Sequence, residues 1–476
     1  MADLSRQTPV RRAASWLLVE LGLHTMRRAS KDVYIVILAR YLRMYAFGTI
    51  ALVLALYLQA QDLSDAEIGL FMTLTLLGDV VVSLLLTLVA DALGRRRTLM
   101  LGALGMAVSG AVFATTDSYA VLLAAAIVGV ISPSGNEIGP FRAVEESTLA
   151  QLVGEEGRAD VFTWYVAFAV LGTSTGLVVG GHVVDALSAR NGWSQLDAYR
   201  AIFWVYTAVG LLQALFTLLL SQACEHQQLS KPAHQDAETE PLLSAADGDT
   251  HPTASSNGVT PAAEGSKKRK KRTWSLNMFS SISPKSRAIL FKLCSLFFLD
   301  SLGSGMVPFS LINYYLDRKF HLPKGKLGGI MSATWFLSTL GNIFSASLSR
   351  RLGLIPSMVA THLPSSLFLA LLPLAPTLPL TILFLVLRSA MSSMDQAPRS
   401  AFLASVVLPQ ERTAVMGTVN VLKTLSQSAG PSVTGVLAGE GRFWVAFVVA
   451  GGLKAGLIRT ATRVVTGCDD GYKQQR

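Results

Sequence analysis

The chain runs to 476 residues, 51% hydrophobic and only 15% charged, with a mean hydropathy of +0.44. A soluble domain carries about 25% charge, so the composition excludes an ordinary soluble protein and points to a bilayer. The net charge of +10 would suggest nucleic acid in a soluble chain, but here Lys and Arg gather in loops, where they orient a membrane protein and call for no nucleic-acid partner.

Residues 1–32 are polar and Arg-rich around an apolar patch from Trp16 to Leu23. The patch reads as a short helix lying on the inner membrane face. A cleaved transit peptide is disfavoured by Asp3, Glu20 and Asp32. Six apolar spans follow, at about 35–59, 66–90, 98–115, 119–140, 161–187 and 200–221. Residues 222–286 turn rich in Ser, Ala, Asp, Glu, Thr and Pro, then basic from Lys267 to Arg272, and read as a disordered cytosolic linker. Six more spans lie at about 288–316, 326–349, 354–374, 377–397, 413–437 and 443–459. Each is long enough to cross a membrane as a helix, since a crossing needs about 20 apolar residues. The runs are continuous and lack period-two alternation, which disfavours transmembrane strands. The expected organisation is a cytosolic segment 1–32, a bundle 33–221, a linker 222–286, a second bundle 287–460 and a cytosolic tail 461–476.

The two bundles repeat one another. A shift of 258 carries Glu137 onto Asp395, Pro140 onto Pro398 and Ala143 onto Ala401, and a shift of 254 carries Arg158 onto Arg412, Gly176 onto Gly430 and Gly181 onto Gly435. Repeated bundles of this kind are the usual frame of secondary transporters, with the site at the repeat interface.

The loops carrying Arg95 to Arg97, the basic run 267–272, and Arg350 with Arg351 share one side, and the loop with Asp62, Asp65 and Glu67 lies on the other. The positive-inside rule then puts both termini in the cytosol. Arg318, Lys319, Lys324 and Lys326, between spans 7 and 8, run against it. Cys224, Cys294 and Cys468 stand far apart and give no disulfide framework or metal-ligand spacing, and no Asn-x-Ser/Thr acceptor occurs.

Between spans 2 and 3 stands Asp91-Ala92-Leu93-Gly94-Arg95-Arg96-Arg97-Thr98-Leu99. Gly94 permits a tight turn, the arginines anchor one face, and Asp91 is suited to cap a helix end or bind an arginine. This run resembles the signature loop of the major facilitator superfamily, with Thr87 and Ala92 departing from the usual pattern. The second copy, Arg350-Arg351-Leu352-Gly353-Leu354, keeps the glycine and places Arg350 where Asp91 stands. The row Gly172, Gly176, Gly180 and Gly181 in span 5 suits close helix packing. It also resembles the span-5 signature of the family's antiporters, but the Gly-Pro pair of that signature appears only in the second copy, at Gly430-Pro431.

The resemblance implies an all-α membrane protein of that fold, with twelve transmembrane helices in two pseudo-symmetric six-helix bundles, moving a small solute by alternating access. It implies that Asp91 and Arg95 latch the inner side, and that spans 1, 4, 7 and 10 line a central cavity, where Arg43, Asp300 and Arg388 would meet the substrate. Arg43, Asp79, Asp300, Arg388 and Lys423 all fall near mid-membrane. Three bases against two acids favour an anionic or zwitterionic solute, with Lys423 a further contact. Snorkelling of Arg40 and Arg43 and a structural Arg43–Asp79 pair are the plainer alternatives. Glu137 and Asp395 end spans 4 and 10, each followed by a base, Arg142 and Arg399. They suit a salt-bridge gate, a coupling proton site or a static helix cap.

Glu238, Leu242 and Leu243 fit an acidic dileucine sorting signal, which points to a vacuolar or lysosomal membrane beside the plasma membrane. No nucleophile–base pairing, metal cluster or phosphate-cradling loop stands out, so neither an enzyme nor a cofactor is expected. The expected function is a monomeric, proton-coupled secondary transporter; a solute receptor on the same fold and a multidrug-type antiporter are the alternatives.

Overall fold

The computed structural model describes residues 23–129, 131, 133, 140–225, 284–395, 399 and 412–456. A helix lies in the described part of every predicted span, although span 4 is helical only as far as Val128. In the first half these are Lys31–Ala60, Asp65–Leu93, Arg95–Thr115, Tyr119–Val128, Glu155–Ser188 and Gln195–Leu219. In the second half they are Pro284–Met306 with Phe309–Phe320, then Lys324–Leu352, Leu354–Leu371, Leu378–Met394, Arg412–Gly439 and Phe443–Gly456. The N-terminal patch, the linker signals at Glu238, Leu242 and Leu243, and Cys468 lie outside the described residues.

By length and apolarity alone, spans 1, 3, 5, 6 and 9 qualify as membrane crossings, and the bent pair of span 7 makes a sixth. Spans 8 and 11 are long but rich in Gly, Ser and Thr. That composition has a packing cause. These two helices lie across the join between the halves, span 8 on span 5 and span 11 on span 2, and small side chains let the backbones meet. A Cβ on Gly181 would overlap the Lys324 carbonyl of span 8, and one on Gly435 would overlap the Asp65 carbonyl of span 2. The rest of the span-5 row serves its own half: Gly172, Gly176 and Gly180 abut Tyr41, Tyr45 and Thr49 of span 1. Gly430 abuts Gly305 of span 7 in the same way, so both copies use glycine to bring the fifth helix of a half onto its first.

Two spans are broken. Span 7 bends by 40° where Val307 and Pro308 interrupt it, because proline lacks the amide the helix needs and crowds the preceding turn. Span 4, expected to run unbroken to 140, stops as a helix at Val128, and a second helix, Pro140–Leu152, leads away to span 5. The two breaks are joined: the amide and the Oγ of Ser310 both donate to the carbonyl of Pro133, at 3.4 and 3.2 Å. Broken backbone at membrane depth persists only where protein or water satisfies it, as around transporter sites.

Candidate functional site

Each half buries an ion pair between its first span and the segment after its fourth. In the first half, Arg43 grips Glu145 with both nitrogens, at 2.6 and 2.5 Å. Tyr165 of span 5 donates to the same carboxylate at 2.7 Å. The Arg43 guanidinium stacks over Phe141 at 4.7 Å, and Arg40 over Tyr165 at 4.9 Å. Arg43 and Glu145 are both nearly sealed from solvent, so the pair is worth most as a constraint: removing one member strands a buried charge. The carboxylate that Arg43 holds here is Glu145, a partner the sequence does not announce. Asp79 itself is buried in span 2. Arg40 is buried too and snorkels to no exposed edge. A span 4 that ends at 140 leaves Glu145 in a connecting loop, so the sequence gives it no role. The helical spacing of Phe141, Val144, Thr148 and Leu149, all buried, is the signal that marks the extra helix. Glu137 lies outside the described residues, and Arg142 pairs with Glu146 at an exposed position, at 2.7 Å.

The second half carries the same pair with its signs exchanged. Arg43 and Asp300 stand 257 apart, and Asp300 binds Arg399, which follows span 10. Around this pair a larger network closes. Arg399 also binds Asp395, one turn before it. Lys454 of span 12 donates to Asp300 at 2.9 Å. His362 of span 9 places Nδ1 3.0 Å from Asp395 and Nε2 3.4 Å from Asp300. The predicted Asp395–Arg399 contact is therefore present, and Asp300, predicted as a substrate contact, is held by two cations of the protein. His362 and Lys454 were not anticipated. Lys454 lies well within span 12, where a buried base should have drawn notice.

Two cations remain beside this network. Arg388, seven residues before Asp395 on the same face of span 10, is half-buried and lies within electrostatic reach of Lys454. Its guanidinium makes no hydrogen bond or ion pair with any described residue, while its carbonyl accepts from Ser365 at 3.1 Å. Lys423 of span 11 sits 5.5 Å over the Phe297 ring, with Arg399 at 5.7 Å from the same ring. Among the described residues the network thus sets Arg399 and Lys454 against Asp300 and Asp395, with Lys423 and Arg388 as further cations beside it. Near the span-7 break, Phe309 and Trp335 meet edge to face at 5.5 Å.

The halves are pinned together at the end that carries Asp65. Asp65 accepts from Tyr314 at 2.5 Å and from Arg318 at 2.6 Å. Asp185, ending span 5, accepts from the amides of Lys324 and Gly325 at 2.8 and 2.7 Å, capping the helix of span 8. Deeper in, Asn313 donates to Ala51 O at 2.9 Å, and the Ser432 amide donates to Thr73 Oγ1 at 3.0 Å. Hydrogen bonds between the halves, among the described residues, all lie in the part of the molecule nearer this end. The same contacts account for three of the four basic residues that run against the charge rule, Lys326 being the fourth. Arg318 is tied to Asp65, Lys324 to Asp317, and Lys319 to the carbonyls of Pro373 and Ala375.

At the Arg95 end the contacts among the described residues stay within the first half. Glu225, just past span 6, accepts from the amides of Arg95 and Arg96 at 2.9 and 3.3 Å, capping span 3 where Gly94 turns with φ +90°. The Arg95 side chain donates to Gln151 at 2.6 Å, and Gln151 holds the carbonyls of Ala223 and Glu225. Asp91 sits in the helix Asp65–Leu93, with its side chain outside the described set. Buried beneath this clasp, the Cys224 thiol is pushed up to about 11 by loss of water around the thiolate.

A family model described as Major Facilitator Superfamily matches residues 36–283 and 293–460. An uncharacterized membrane protein of Saccharomyces cerevisiae is 33% identical over 438 residues, which is 89% of this chain and 92% of that one. Among solved structures, the nucleoside transporter NupG matches with a TM-score of 0.65 at 15% identity, covering 90% of this chain and 98% of its own. The human organic anion transporter MFSD10 matches with a TM-score of 0.55 at 19% identity, covering 90% and 99%. At these identities the two structures speak for the fold alone.

Proposed function

The chain belongs to the major facilitator superfamily, and on that premise we propose that it carries a small anionic or zwitterionic solute across the membrane by alternating access, with proton coupling. That it is a multi-pass, all-helical membrane protein with a transporter's fold is established; the solute and the coupling are the proposal. One observation carries the choice of solute: Arg388 is half-buried with no counter-charge among the described residues. An uncompensated cation at membrane depth is costly, and a bound anion removes that cost. Lys423, lying over Phe297 rather than against a carboxylate, adds a second attractive charge. Arg43 drops out as a substrate contact in this reading, because Glu145 neutralises it.

The positive-inside rule assigns the Arg95 end to the cytosol. The Asp65 end then faces outside or lumen, and the arrangement described is sealed on that face. Rocking would have to release Asp65 and Asp185 from the second half.

A thermal-shift screen of the purified protein against organic anions, amino acids and neutral sugars tests the reading, since a ligand of the native state stabilises it. Stabilisation by anions that disappears in Arg388→Gln is expected. Stabilisation by neutral sugars alone would refute it.

A further inference from the structure

His362 meets more groups than one imidazole can serve. Its Nδ1 lies 3.0 Å from Asp395 Oδ2 and 3.1 Å from Arg399 Nη2. Toward Asp395 this nitrogen must donate, and toward Arg399 it must accept. A neutral ring carries one proton. With the proton on Nδ1, the Asp395 bond forms, but the N–H faces the Arg399 donor and the bare Nε2 faces Asp300. With the proton on Nε2, Arg399 is satisfied, but two acceptors meet at Nδ1 and Asp395. Either tautomer leaves a repulsive contact, and both His362 Nε2 and Asp395 Oδ1 are buried without a hydrogen-bond partner among the described residues.

A second proton resolves both carboxylate contacts at once. The imidazolium donates from Nδ1 to Asp395 and from Nε2 to Asp300. It also puts a cation 3.1 Å from Arg399, which already shares these two carboxylates. Among the described residues, the charged groups around the ring are Asp300 from span 7, Asp395 and Arg399 just after the helix of span 10, and Lys454 from span 12. Lys423 and Arg388 lie within electrostatic reach of the same network. Two carboxylates cannot hold Arg399, Lys454 and an imidazolium equally. Arg399 is the member that can leave: its side chain is 18% exposed against 11% for Lys454, and it already leans over Phe297, where Lys423 waits.

We propose that His362 is the seat of the coupling proton, and that its protonation hands Asp300 and Asp395 from Arg399 to the imidazolium, freeing Arg399 to join Lys423 in binding the transported anion. One proton enters from water, and one net positive charge is added at the site; deprotonation returns Arg399 to the carboxylates and expels the anion. This deepens the transporter reading and rests on it for the identity of the cargo as an anion. By linkage, proton and anion then favour each other's binding, which makes the protein a symporter of the two.

Two measurements on the full-length protein in nanodiscs test this. In the first, ring-15N-labelled histidine is followed between about pH 5 and 8, the range in which histidine changes charge, with His362→Asn assigning the signal. The expected result is that the His362 ring is found both neutral and doubly protonated within this range, and that Arg399→Gln alters the balance between the two forms. A ring that keeps one state throughout, or a change that Arg399→Gln leaves in place, overturns the proposal. In the second, thermal shift measures the apparent affinity for benzoate, succinate and inorganic phosphate against pH. A probe that binds should tighten by up to about tenfold per pH unit of acidification, and that slope should vanish in His362→Asn. A slope that survives in the variant overturns the proton role while leaving the transporter reading intact. If none of the three anions binds at any pH, the anion reading fails, and the ring titration alone decides whether the switch exists.

Discussion

Removing the Asp185 carboxylate should open the molecule at the Asp65 end. Its two oxygens accept the first two amides of the span-8 helix, at 2.8 and 2.7 Å. Those amides have no partner inside their own helix, and the helix dipole adds to the attraction. A hydrogen bond to a charged group contributes about 1.5–3 kcal/mol. When the halves part, water takes over both bonds, so the lower figure for one bond is the safer measure of what closure gains. Asp185→Ala then shifts the balance by about 1.5–2 kcal/mol, or about 10- to 30-fold, toward the form open at this end. Ser310 reports on it. In the sealed form it is 1% exposed, beneath the latch, with its Oγ on Pro133 O. A Ser310→Cys protein lacking Cys224, Cys294 and Cys468 is reacted with an impermeant maleimide from the Asp65 side of sealed vesicles. The labelling rate should rise about tenfold or more when Asp185→Ala is added. Asp197→Ala is the control, because Asp197 caps its own helix through Ser194. Equal rates with and without the Asp185 carboxylate would refute the reasoning.

Other expectations follow from the same contacts. Gly435→Leu drives a side chain into Asp65 O and Gly69 Cα, so it should raise labelling at position 310 as Asp185→Ala does; unchanged labelling would show that the two helices separate by another route. Arg43→Met strands Glu145 beside Tyr165 and should cost about 3–5 kcal/mol, seen as a lower unfolding temperature in detergent. Arg43→Met with Glu145→Gln, which keeps an acceptor for Tyr165, should recover most of that loss, and a double variant no better than the single would place the cost elsewhere. Glu225→Ala removes the cap from span 3 and the anchor of the chain leaving span 6. Limited proteolysis just past residue 225 should then speed up, and an unchanged rate would show that Gln151 holds the segment by itself.

What the sequence disclosed follows a physical rule. Features set by neighbours along one helix were legible. Asp395 and Arg399 are one turn apart, and the span-5 glycines are four apart, so local spacing announced both. The spans were legible because hydrocarbon demands long apolar runs. Features set across helices were not. Asp300 was visible as a buried charge, but nothing local says that its partners are Arg399 and Lys454, 99 and 154 positions away. His362 stands alone in an apolar span and gains meaning only from two carboxylates on other helices. Pro308 was a readable warning that span 7 breaks. Arg318, Lys319 and Lys324 misled because the charge rule counts residues and cannot see that each is already held.

The most direct test of the account is solute exchange. Proteoliposomes carrying the wild-type protein are loaded with an anion that stabilises it, and uptake of the labelled form is followed beside Arg388→Gln reconstituted to the same density. The account predicts exchange by the wild type and none by the variant. Binding without exchange in the wild type would contradict transport and leave a receptor, and full exchange by Arg388→Gln would remove the charged site from the path of the solute.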